Sequence, residues 1–122
     1  STYPDLVLTN TGSTACTLRG FPGVSLVGDD NGTQLGAPAT RDEGAAVVTV
    51  TLAPGGSAHS ALRITEAGNY DAAQCSPKAA DGLRVYPPDQ EEALFVRTSD
   101  FTACTSTDIE LISVQALQPG TD

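Results

Sequence analysis

Apolar and polar residues alternate over short runs of this 122-residue chain, and Gly, Pro, Asn or Asp interrupts the runs roughly every 8 to 15 residues. Period-2 alternation sends successive side chains to opposite faces of a strand, and almost no stretch repeats apolar residues at helical spacing. Leu6 and Leu8 share one face of a first predicted strand, ended by Asn10-Thr11-Gly12. Residues 15–18 form a second, stopped at Gly20-Phe21-Pro22-Gly23. Val24 and Leu26 alternate with Ser25 in a third, which turns at Asp29-Asp30-Asn31-Gly32 into residues 33–35. Asn31-Gly32 favours the paired positive φ of a type I′ turn and is the strongest hairpin signal in the chain.

Val48, Val50 and Leu52 face one way, with Thr49 and Thr51 the other, before Pro54-Gly55-Gly56 turns the chain. Leu62 and Ile64 resume the inward face, leaving His59, Ala61 and Arg63 outward. Residues 69–81 lack alternation and hold the one short predicted helix, at 71–74, with Asp71 as its N-cap. Leu83 and Val85 define another strand, which must end at Pro87-Pro88 because proline donates no ladder hydrogen bond. Residues 93–97 and 109–117 are the last strands. Leu111 and Ile112 are consecutive apolar residues, so the face either switches there through a bulge or is buried on both sides. About eight or nine short strands at this spacing predict an all-β antiparallel sandwich of immunoglobulin-like type, with a closed barrel as the lesser alternative.

One domain is all that this length allows. Fifteen acidic against six basic side chains give a formal charge of −9. Such a balance argues against nucleic acid and anionic membranes as partners, since both require clustered Lys and Arg. No stretch approaches the roughly 18 apolar residues of a transmembrane helix. The sequence begins at Ser1 without a leader, so a processed product or a fragment is expected. Aromatics are 5%, and Met and Trp are absent, so the core must be aliphatic and small. Cross-linking would help such a core: a disulfide closing a loop of about 60 residues contributes roughly 4 kcal/mol by chain entropy. Cys16 and Cys75 are spaced for a loop of that size, and the third cysteine, Cys104, makes the count odd.

Six segments in register carry a resemblance that no one of them would. They are Leu8-Thr9-Asn10-Thr11-Gly12-Ser13, Cys16-Thr17-Leu18, Gly20-Phe21-Pro22-Gly23-Val24, Leu52-Ala53-Pro54-Gly55-Gly56, Gly68-Asn69-Tyr70 with Cys75-Ser76-Pro77, and Leu83-Arg84-Val85-Tyr86-Pro87-Pro88. Over essentially its whole length the chain resembles a domain of unknown function found in actinobacterial secreted proteins and lipoproteins. Scarce Lys beside abundant Ala, Gly and Thr suits a GC-rich source. The resemblance implies a β-sandwich outside the cytoplasmic membrane, secreted or lipid-anchored in its precursor, with no established activity and no catalytic residues to carry over. It also implies a further cysteine-bearing strand before Tyr3, missing from this chain. On that pattern Cys16 pairs with Cys75, and Cys104 is left for the absent strand or for another copy. Cys16 with Cys104 is the rival pairing, because sequence alone does not fix connectivity.

Candidate chemistry is thin. His59, the only histidine, would be the base of a hydrolytic triad, but it falls mid-strand on an outward face rather than on a loop over a cleft. One histidine and no close cysteine pairs leave no zinc set, and no cofactor fingerprint is present. Asp29, Asp30 and Asn31 hint at calcium but lack the further oxygens and terminal Glu of a binding loop, and read better as a polar turn. Asn31-Gly32-Thr33 matches the glycosylation acceptor, which carries no force in a bacterial protein. Asp89, Glu91 and Glu92 offer the residue type of paired glycosidase carboxylates, but they follow Pro87-Pro88 as a solvated loop. Gly55-Gly56 and Pro22-Gly23 are turns, not phosphate cradles. Tyr70, Tyr86 and Phe95 remain. Tyr86 and Phe95 form an outward aromatic patch if they share a face of paired strands, and the equal alternative puts Phe95 in the core with Ala93.

The expectation is therefore an extracytoplasmic, non-catalytic binding or interaction module of the cell envelope, its partner an unknown protein or envelope component. A second expectation is a self-assembling or strand-accepting structural protein, open at the edge beside Leu6 and Leu8. A small secreted hydrolase using His59 is the third.

Overall fold

The computed structural model describes residues 1–88 and 92–121. Its strands are β1 (Asp5–Thr9), β2 (Cys16–Arg19), β3 (Gly23–Gly28), β4 (Thr33–Gln34), β5 (Thr40–Asp42), β6 (Thr49–Leu52) and β7 (Ser57–Ile64) in the first half. In the second come β8 (Pro77–Ala79), β9 (Gly82–Tyr86), β10 (Leu94–Arg97), β11 (Thr102–Cys104), β12 (Ile112–Gln115) and β13 (Gln118–Pro119). They pair as two main sheets that pack as an antiparallel β-sandwich. One sheet has the order β1-β7-β12-β5, with β13 also on β7; the other runs β10-β9-β3-β4. Two small ladders, β2–β6 and β8–β11, complete the pairing. The pairing is antiparallel throughout except for β12 with β5.

The predicted faces are the observed ones. Leu6 and Leu8 on β1, Val50 and Leu52 on β6, Leu62 and Ile64 on β7, and Leu83 and Val85 on β9 are all buried. They join Val24, Leu26, Ile112, Val114 and Leu117 in one continuous aliphatic core. β3 departs from simple alternation, because Ser25 and Val27 are buried as well. β3 lies between β9 and β4, and the chain after β4 stays against it: the Leu35 and Ala39 N–H groups donate to Leu26 O and Val24 O. Leu111 and Ile112 are both buried without a bulge, and a bulge comes further along, between Val114 and Gln118. Val114 pairs with Leu62 and Gln118 with His59, so this side advances four residues while β7 advances three. The extra residue turns both Ala116 and Leu117 inward, and the Leu117 N–H leaves the ladder to reach Gly20 O at 2.9 Å.

In the β3–β4 hairpin the loop is Asp29–Gly32, and the paired positive φ falls on Asp29 and Asp30 (61° and 55°) rather than on Asn31-Gly32. Local side-chain bonds settle that shift. Asp29 forms an ion pair with Lys78, the Asp30 N–H donates to Asp81 at 2.7 Å, and Asn31 accepts from the Thr33 N–H at 3.1 Å. The single α-helical turn spans Ala72–Cys75, capped by Asp71, whose carboxylate accepts from the Ala73 N–H at 3.2 Å.

The disulfide corrects the expected pairing: Cys75 is bonded to Cys104, and Cys16 is a free, exposed thiol. Neither the pairing of Cys16 with Cys75 nor that of Cys16 with Cys104 is formed. Backbone topology explains why. Ser76, in the left-handed region at φ 51°, turns the chain from the helix into β8. β8 pairs with β11, placing Cys104 opposite Pro77, and the Thr105 and Ser106 N–H groups donate to Ser76 O and Cys75 O. Two stretches zipped this closely bring Cys75 and Cys104 to a Cα separation of 4.6 Å, within normal disulfide reach. Cys16 instead sits on β2 opposite Leu52. Gly36, at φ 78°, passes so near the Cys104 carbonyl that any Cβ there would collide with it.

These anchors can be tested by unfolding. The Cys75→Ala/Cys104→Ala double variant should lose about 3.5 kcal/mol in urea unfolding, as chain entropy gives for a loop near 30 residues, whereas Cys16→Ser should change stability by less than about 0.5 kcal/mol. Non-reducing peptide mapping should find the 75–104 link and one alkylated Cys16. Asp42 on β5 accepts from the Gly44 N–H at 2.9 Å and from Gln115 at 3.2 Å, and both bonds hold its carboxyl below the ordinary 3.8. A lowered folded-state value contributes stability above the unfolded value and loses it as pH falls through the folded one. The gap in stability between wild type and Asp42→Ala should therefore be full at neutral pH and narrow below about pH 4, which unfolding curves at both ends would show.

Candidate functional site

The most unusual feature of the sandwich is β10. Antiparallel pairing sets Leu94 opposite Val85, Phe95 opposite Arg84 and Val96 opposite Leu83. Residues directly opposite share a face, so Leu94 and Val96 belong to the core face of their sheet. Val85 and Leu83 are 0% and 5% exposed, yet Leu94 is 51% exposed and Val96 40%. Nothing described in the opposing sheet reaches far enough to cover them. β10 is an edge strand of its sheet and β1 an edge strand of the other.

Between these edges lies an open groove of about 400 Å³, whose lining includes Leu8, Leu18, Leu52 and Leu94 together with Cys16, Glu92 and the polar 9–12 turn. Its floor is core, and its rim is shaped by Asn10. That side chain accepts from the Gly12 N–H and donates to the carbonyls of Thr14 (2.9 Å) and Leu52 (3.0 Å). The Asn10-Thr11-Gly12 turn is thereby tied to β6, and it fixes where β2 and its Cys16 begin.

On the outer face, Phe95 (50% exposed) and Tyr86 (39%) both point to solvent. The alternative that places Phe95 in the core is not the observed register. Each ring lies beside a glycine of the neighbouring strand: a Cβ on Gly82 would come within 2.9 Å of the Phe95 ring, and one on Gly23 would lie 3.8 Å from the Tyr86 ring. The rings thus cover backbone where their partners have no side chain. The Arg97 guanidinium lies 5.4 Å from the Phe95 centroid, and Arg84 donates to the Gly32 carbonyl. Tyr70 is 37% exposed and lies after the 3-10 turn Ala67–Asn69, away from this hairpin in the chain.

His59 stands on the outer face of β7, between Val7 and Gln118, with Nδ1 3.1 Å from the Gly120 carbonyl. Among the described residues no hydroxyl or carboxylate is hydrogen-bonded to it. In the β3–β4 turn the Asp29 carboxylate is paired with Lys78 and the Asp30 N–H donates to the Asp81 carboxylate, and no three His, Cys, Asp or Glu groups among the described residues converge as a metal set. Asp89 and Glu91 lie outside the described residues; Glu92 is exposed at the groove. Alternation assigns Leu94 to a strand but not to an uncovered face, and the family pattern places Cys16 in a disulfide rather than beside a groove. Only the sheet order, which brings β1 and β10 to open edges, carries that information.

These features define a disulfide-tied antiparallel β-sandwich, open along one side. No helix among the described residues is long and apolar enough to cross a membrane. The chain belongs to the family described as Domain of unknown function (DUF4232), whose family model matches residues 1–118. Comparisons with curated proteins and with solved structures find no match.

The open face has a measurable signature. Leu83→Ala should cost about 2–5 kcal/mol in denaturant unfolding, as for a buried leucine. Leu94→Ala, on the same face one strand away, should cost less than about 1 kcal/mol. Equal losses would mean that Leu94 is covered in solution.

Proposed function

We propose that this domain is an extracytoplasmic, non-catalytic interaction module of the actinobacterial cell envelope, secreted or lipid-anchored, on an immunoglobulin-like scaffold. Its partner-binding surface is the open side formed by β10 and the groove. The observation that carries this reading is that Leu94 and Val96 lie on a core face without being covered, beside Phe95 on the other face of the same short edge strand. Apolar exposure on both faces of one edge strand is unusual for a folded domain and suits an interaction site. An unpaired strand edge supplies main-chain donors and acceptors to an incoming extended segment, and the groove supplies room for its inward side chains. A buried disulfide suits an oxidising compartment, which supports the location.

Cys16 provides the reporter. An environment-sensitive fluorophore on this thiol should shift to the blue, saturably, as an envelope fraction containing the partner is added, and Leu94→Lys should abolish the shift. No saturable change in the wild type would count against the reading.

The second reading, a strand-accepting or self-assembling structural protein, uses the same edge and is favoured by the open groove beside edge strand β1. Sedimentation velocity from micromolar to millimolar concentration separates the two. An oligomer that Leu94→Lys dissolves supports self-assembly, and a monomer throughout eliminates it.

A further inference from the structure

A second recess, at the opposite end of β2 from Cys16, has a different chemistry. Six basic side chains stand against fifteen acidic ones in this chain. Two of the six, Arg19 and Arg41, line one recess of about 280 Å³ together with Gly20, Phe21, Val47 and Pro88. Among the described residues no carboxylate lines it, whereas the recess under β9 and β10 sets Asp30 and Asp81 beside its own arginines. Neither Arg19 nor Arg41 has an ion-pair partner among the described residues, where Lys78 with Asp29 is the ion pair formed.

Both arginines are exposed, and each guanidinium has one contact that orients it. Arg19 donates from Nη1 to Thr49 Oγ1 at 3.1 Å, across the β2–β6 ladder in which these two residues are opposite each other. The Arg41 guanidinium carbon lies 5.2 Å from the Phe21 ring centroid. An arginine stacked on an aromatic face keeps its planar edge of N–H donors for an oxyanion, and it gives up less side-chain freedom on binding than an arginine loose in solvent. Like charges brought to one recess repel, and an anion between them relieves that repulsion. The remaining walls are apolar: Phe21, half-exposed Val47 and Pro88. A few polar groups on an otherwise apolar lining is the usual composition of a small-ligand site.

We propose that this recess binds a small organic oxyanion, with its phosphate or carboxylate head taken by Arg19 and Arg41 and its apolar body seated on Phe21, Val47 and Pro88. The site is independent of the β10 groove, so its failure would leave the proposed interaction surface untouched.

Phenyl phosphate is the probe, with benzoate, inorganic phosphate and phenol as comparisons, read by NMR at low ionic strength. With a net charge of −9, the protein repels anions at long range, so a localised response is not general anion adsorption. Saturable shifts should appear at the Val47 methyls and the Phe21 ring, with an affinity on the order of millimolar. Inorganic phosphate should bind more weakly than phenyl phosphate, and phenol should not bind. Benzoate binding as tightly as phenyl phosphate would identify the head as a carboxylate; weaker binding would identify it as a phosphate. Arg19→Gln and Arg41→Gln should each weaken binding by about tenfold or more, as the loss of a charge-assisted contact implies, and Arg41→Lys should fall between because it keeps the charge but not the planar fork. Shifts that grow linearly without saturation in the wild type would overturn the proposal. So would an unchanged affinity in an Arg19→Gln/Arg41→Gln protein whose amide spectrum remains folded, or phenol binding as well as phenyl phosphate.

Discussion

Strand β7 is the constraint on which the rest of this sandwich depends. It is the longest strand, and both of its edges are used: β1 pairs along one, and β12 and then β13 share the other. Its alternation sends Ala58, Ser60, Leu62 and Ile64 inward, and those four side chains set the height of the core for one whole sheet. The one polar member, Ser60, is fully buried and donates to the Gln115 carbonyl at 2.6 Å. That bond satisfies a hydroxyl that would otherwise be costly to bury. It also lies where the bulge opens the ladder between β12 and β13, so a side-chain donor serves a carbonyl at the interruption. Because β7 pairs with everything around it, the bulge, the seating of Leu117 and the position of β1 at the sheet edge follow from its register.

A core without Trp or Met and with few aromatics fills space with small aliphatic side chains. The exposed aromatics do a different job. Phe95 on Gly82 and Tyr86 on Gly23 cover strand backbone that has no side chain of its own, so the glycines and the aromatics of β9, β10 and β3 form matched pairs. The disulfide acts where strand pairing is shortest. β8 and β11 are three residues each, too short to be stable alone, and the 75–104 bond links them to the core through two buried sulfurs.

Faces were legible in the sequence wherever alternation was clean, as at β1, β6, β7 and β9. They were legible because burying one side of a strand imposes a period of two. The N-cap at Asp71 was legible for an equally local reason. Other features were not. The positive φ pair moved to Asp29-Asp30 because Lys78, Asp81 and Thr33 make contacts with the turn that turn propensities do not contain. The parallel strand β5 carries no signal of its own: Thr40 and Asp42 are only half-buried, and pairing with β12 is what makes the segment a strand. The disulfide was not legible: the resemblance suggested Cys16 with Cys75, and loop length, which fits that pair, says how much a link constrains the unfolded chain but not which sulfurs meet. That choice rests on the β8–β11 ladder and the turn at Ser76. The uncovered face of β10 was out of reach for a similar reason, since exposure of Leu94 depends on which strands end each sheet.

The open edge and the charge of the chain bear on each other. An apolar edge strand with an unpaired backbone is a template for adding another strand, and such edges are usually guarded by inward charges, prolines or a covering loop. β10 has Arg97 at one end and three apolar residues before it, with no inward charge along its length. What guards the molecule is its long-range field. Copies carrying a net charge of −9 repel one another before their edges meet, and the repulsion is strongest at low salt, where the Debye length is long. A partner that is neutral or basic feels no such barrier. On the proposed reading, the same field would disfavour a second acidic copy at this edge more than a neutral or basic extended segment. That asymmetry favours the proposed interaction module over a self-assembling one, and in the proposal the selectivity of the surface would come from the whole domain's charge as much as from the groove itself.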